Sequence, residues 1–91
     1  MDSKEKLYYL IDLYIQGKYD TKTFCELFSD TYNLETDYNS LNSNEKVLFR
    51  GLSKMTGRFS PFEDDLKNYN CYYNEQQIKS KVEEVINKLR D

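Results

Sequence analysis

Three carboxylates in a row, Glu63, Asp64 and Asp65, follow the only proline of the chain in the segment Arg58-Phe59-Ser60-Pro61-Phe62. Carboxylate oxygens can act without other residue types in two ways: as ligands for a hard cation such as magnesium or calcium, or as fixed negative charge offered to a basic surface. A calcium loop needs further oxygens at set offsets and a central glycine, which Leu66, Lys67 and Asn68 do not supply. Histidine, the commonest general base and a frequent metal ligand, is absent from the sequence. A Gly-rich phosphate loop and a nucleophile elbow are missing as well. The residues therefore point to a protein without catalytic activity, metal or cofactor, whose three acids are either a solvated loop or a surface that engages a partner.

Two further charge patterns bear on that partner. Glu26 and Asp30 are four apart and share one helix face, a like-charge pair that costs an isolated helix about 0.2–0.5 kcal/mol. Asp20, Glu35, Asp37 and Glu45 can extend this acidic patch, or Lys46, Arg50 and Lys54 of the next helix can neutralise it; the sequence leaves both open. Lys46, Arg50, Lys54 and Arg58 themselves recur at every fourth position, a row that could track a phosphate backbone. Beside so many carboxylates, and with a formal net charge of −3, that row reads as a solvated face with internal pairing rather than a nucleic-acid platform. Tyr69, Tyr72 and Tyr73 read as loop anchors or contact residues.

The elements that must position these groups are helical. Leu7, Leu10, Ile11, Tyr14 and Ile15 form one stripe, with Asp2 as a cap and Gly17 as a stop. Phe24, Leu27, Phe28 and Tyr32 mark a second helix begun by Asp20 or Thr21. Residues 34–41, rich in Asn, Asp, Ser and Thr, form a loop or at most one helical turn. Asn42 with Glu45 opens a third helix carrying Leu48, Leu52, Met55 and Phe59, which Ser60 must leave because Pro61 disfavours helical backbone before it. Asn74 with Gln77 opens a last helix whose stripe is Ile78, Val82, Val85, Ile86 and Leu89. The expectation is an all-α fold, an antiparallel four-helix bundle with a long acidic and aromatic loop between the third and fourth helices. Phe59, Phe62, Tyr69, Tyr72 and Tyr73 are expected to pin that loop to the bundle.

Ninety-one residues suit a single domain, here residues 1–91, with a modest core. The longest apolar stretch, Leu7 to Ile15, is interrupted by Asp12 and falls well short of the roughly 20 residues that span a bilayer. It also lacks a signal-cleavage pattern, so a cytoplasmic protein with no membrane contact is expected. Cys25 and Cys71 read as free thiols, having neither zinc-site spacing nor a disulfide framework around them.

The layout also resembles a known family. Leu10-Ile11-Asp12-Leu13-Tyr14-Ile15-Gln16-Gly17-Lys18 leading to Phe24, Asn44-Glu45, Arg58-Phe59-Ser60-Pro61 with acids after it, Tyr69, and Val82-Glu83-Glu84-Val85-Ile86-Asn87-Lys88-Leu89 are similar to the bacterial self-protective colicin-like immunity family, the colicin D immunity protein type. The Arg-Phe-x-Pro turn with nearby carboxylates is its most specific element. The resemblance implies a four-helix bundle that covers the active site of a toxin ribonuclease, in the type case one that cuts tRNA. It carries Glu63, Asp64, Asp65 and Tyr69 over as partner-binding residues, and the Glu26/Asp30 pair joins them on its charge alone. The partner implied is a cognate nuclease toxin domain, bound by one monomer of this chain, with no direct contact to nucleic acid. Gly57 and Ser60 are uncharged beside the turn, where the family is more acidic, so the toxin's cleavage specificity is not carried over. A small helical adaptor of a host protein is the alternative.

Overall fold

The four long helices each start at a side chain that satisfies backbone N–H groups the helix cannot. In the computed structural model, which describes residues 1–90, α1 spans Ser3–Ile15, and the Asp2 carboxylate accepts from the Glu5 amide at 2.8 Å. Its end is a Schellman motif: Lys18 N–H donates to the Leu13 carbonyl, Gly17 N–H donates to that of Tyr14, and Gly17 sits at φ +79°. α2 spans Thr21–Asp30, and of its two possible caps Asp20 is the one used, accepting from the Thr23 amide at 2.7 Å.

The chain then widens into a π turn at Thr31–Glu35 and tightens into a 3₁₀ turn at Tyr38–Ser40. Thr36 closes the π turn by donating its hydroxyl to the Thr31 carbonyl at 2.8 Å. α3 spans Ser43–Thr56 and opens on the expected reciprocal pair of Asn42 and Glu45. α5 spans Glu75–Arg90 and starts on the same kind of pair between Asn74 and Gln77.

The core lies where α1, α2, α3 and α5 meet. Leu7, Leu10 and Ile11 from α1, Phe24 and Phe28 from α2, Phe49 and Leu52 from α3, and Ile78, Val82 and Val85 from α5 are all buried. Aromatic pairs link these elements: Tyr14 stacks on Phe24 with centroids 4.3 Å apart, and Phe49 meets both Tyr8 and Phe28 edge-on. The Tyr14 hydroxyl hydrogen-bonds Thr21, whose own hydroxyl reaches Glu75, so α1, α2 and α5 share one polar link at the rim. Cys25 is buried and its thiol is pushed up to about 12 by that burial, while Cys71 is exposed.

Among the described residues there are five α-helices and no strand, so the all-α expectation holds. The segment between α3 and α5 departs from the loop expected there. α3 stops at Thr56 because Phe59 leaves it for an isolated parallel bridge with Tyr73, in which Ser60 N–H donates to the Tyr73 carbonyl and Tyr73 N–H to that of Arg58. Residues Glu63–Asn68 then form a short helix, α4, with all three carboxylates in its first turn. Five aromatic anchors were expected on this segment and only Phe59 and Tyr73 pack on the core; Phe62 is 67% exposed, Tyr69 57%, and Tyr72 also faces solvent. Two further expectations shift by part of a turn. Ile15 is exposed, and the buried face of α3 is Glu45, Phe49, Leu52 and Thr56, with Leu48 and Met55 only partly covered.

Candidate functional site

The first turn of α4 is built by Ser60. Its backbone is held by Tyr73, its hydroxyl donates to the Asp65 carboxylate at 2.8 Å, and its Oγ accepts from the Phe62 amide at 3.1 Å. Three acids at the positive end of a helix dipole, with Lys67 in the last turn, favour this short helix further. The same pattern is a recognisable helix-start signal in the sequence, although α4 buries no side chain and so gave no apolar stripe to announce it.

The helix sorts the three carboxylates into different roles. Asp65 is half-buried and spends one oxygen on Ser60. Glu63 lies 3.3 Å from Lys67, but its side chain remains 80% exposed, so that pair is screened and leaves the carboxylate accessible. Asp64 is exposed and forms neither a hydrogen bond nor a salt bridge among the described residues. Tyr69 follows at the end of α4, its ring edge-on to Tyr72 at 6.0 Å.

Glu26 and Asp30 occupy a groove of about 390 Å³ between α2 and the turn after α3. Gly57, Phe59 and Pro61 line it as well, together with Lys22. Beside it the Ser29 and Thr56 hydroxyls share a 2.7 Å hydrogen bond that ties α2 to α3. The structure thus brings the helix-face pair against the proline turn itself, two residues before Glu63. Neutralisation by the next helix does not occur: among the described residues no salt bridge engages Glu26 or Asp30, and none engages Lys46, Arg50 or Lys54.

The other acids of the patch are occupied elsewhere. Asp20 and Asp37 cap backbone amides, and Glu35 pairs with Lys6 at 3.0 Å. Glu45 is only 2% exposed. Burial works against its charge, but the Tyr8 hydroxyl at 2.6 Å, the Asn42 amide and Lys4 outweigh that and hold its carboxyl below the usual range. It is a structural carboxylate.

No group of three or more metal-ligating side chains converges among the described residues, and no helix there is long and apolar enough to cross a membrane. No protein-family model, curated protein or solved structure matches the chain.

Proposed function

We propose that this chain is an immunity protein: it binds a nuclease toxin, of the tRNA-cleaving colicin D type, and covers the basic cleft that grips RNA. Its four long helices would pack as an antiparallel bundle around the core described above, with α4 as an outlying display element. The observation that carries the reading is the groove where exposed Glu26 and Asp30 meet Phe59 and Pro61: Lys22 lines it too, but among the described residues no salt bridge engages either acid. Acids held unpaired on a rigid helix cost stability through mutual repulsion and are recovered only when a cationic partner arrives. A nuclease cleft must present lysines and arginines to phosphate, so a fixed carboxylate surface competes for the same site and excludes substrate.

Glu63 and Asp64 at the start of α4 continue that negative surface, and exposed Phe62 and Tyr69 supply the apolar contact area that slows dissociation. Asp65 holds the turn in shape and acts on the partner through it. The resemblance of the Arg58-Phe59-Ser60-Pro61 turn to the colicin-like immunity family supports the same assignment.

Co-expression with a colicin D-type nuclease domain, taken from the neighbouring reading frame if that frame encodes one, tests it. The wild type restores growth, and the quadruple variant Glu26→Gln, Asp30→Asn, Glu63→Gln, Asp64→Asn, which leaves Asp65 in place, does not. Full protection by that variant removes the acids from the mechanism. An adaptor of a host protein would show no adjoining toxin frame and no protection.

A further inference from the structure

The acidic groove has a neighbour of opposite sign. Along the same seam, past the Ser29–Thr56 hydrogen bond, a second groove of about 520 Å³ is lined by Tyr32 and Tyr38 on one side and by Lys46, Arg50, Ser53 and Lys54 of α3 on the other. The three cations are exposed, and among the described residues none has a carboxylate partner. Internal pairing, expected from the sequence, is therefore not what this row does.

The aromatic wall is fixed. Tyr32 is buried in the π turn, Tyr38 sits edge-on to it at 5.4 Å, and the Tyr38 hydroxyl donates to the Tyr32 carbonyl at 3.4 Å while Tyr38 as a whole stays exposed. Arg50 is close enough to Tyr32 for its charge to offset part of the rise that burial gives the phenol.

We propose that this basic, tyrosine-walled groove docks an acidic helical segment of the protein partner, so that the α2–α3 seam reads its partner in two signs. The proposal rests on the immunity reading only for the partner's identity. Residues four apart on a helix rise about 6 Å, so Lys46, Arg50 and Lys54 match carboxylates spaced four apart on a second helix laid alongside. A polynucleotide fits less well, because its uniform negative charge would run from this groove into Glu26 and Asp30 at the other end of the seam. A segment acidic at one end and basic at the other satisfies both halves, and docking in the reverse direction places like charges together.

The test uses isotope-labelled full chain and two probes: a helical peptide with glutamate at every fourth position of one half and lysine at every fourth position of the other, and a single-stranded oligonucleotide of equal length. The expected result is peptide-induced shifts at Tyr38, Arg50 and Lys54, with affinity about tenfold lower in the variant Lys46→Gln, Arg50→Gln, Lys54→Gln. Circular dichroism confirms that this variant keeps its helices. The proposal is overturned by tighter binding of the oligonucleotide at the same residues, by peptide shifts that map elsewhere or survive the variant, by no binding of either probe, or by self-association of the chain that the variant abolishes. None of these outcomes touches the nuclease test, which neutralises only carboxylates.

Discussion

The Ser60 hydroxyl donates to the Asp65 carboxylate at 2.8 Å, and this contact turns an acidic linker into the first turn of a helix. The same oxygen accepts from Phe62 N–H, so Ser60 fixes both the backbone leaving Pro61 and the direction in which Glu63 and Asp64 face. Its position is in turn set by the bridge to Tyr73, which connects the start of α5 to the end of α3.

Ser60→Ala removes both contacts. Loss of hydrogen bonds of this kind costs about 1 kcal/mol, and because α4 buries no side chain the cost falls on local opening rather than on the whole fold. Amide exchange at Phe62 and Leu66 is expected to speed up about fivefold, with the global unfolding midpoint nearly unchanged. Equal loss throughout the chain would show that α4 is coupled to the core.

Glu45 predicts the acid limb of stability. Its folded-state carboxyl is held below the ordinary value, so its contribution is complete above the unfolded-state value and is lost as pH falls through the folded one. Glu45→Ala is expected to cost about 1.5–3 kcal/mol at neutral pH, since it strands Tyr8 and the Asn42 amide. Denaturant titrations at neutral and acid pH check the sign: Glu45→Gln should flatten the loss of stability on acidification.

Much of this was legible from residue spacing, and the gaps have specific causes. Asp2, Asp20, Asn42 and Asn74 announce their helices because capping is local chemistry. The turn made by Thr31–Glu35 and the exit of Phe59 depend on what Tyr32 and Tyr73 pack against, and such tertiary contacts are silent in a single sequence. The charge pairing of the second and third helices was open for the same reason: four-residue spacing fixes which face a charge takes, whereas the rotation of one helix against another decides whether opposite charges meet. Here it leaves Glu26 and Asp30 in one groove and Arg50 and Lys54 in the next.

Glu26→Gln with Asp30→Asn separates stability from binding. Relief of the four-apart repulsion should leave the fold unchanged or about 0.2–0.5 kcal/mol more stable. Urea denaturation measures this, and a clear loss of stability would mean that the pair has a structural role that its exposed positions do not show.

The proposed function requires that the exposed carboxylates hold the nuclease, and calorimetric titration of this chain into a colicin D-type nuclease domain measures that directly. It predicts tight one-to-one binding that weakens with added salt, and a loss of about a hundredfold or more in the Glu26→Gln, Asp30→Asn, Glu63→Gln, Asp64→Asn variant. Equal affinity of variant and wild type, or no binding by either, would contradict it.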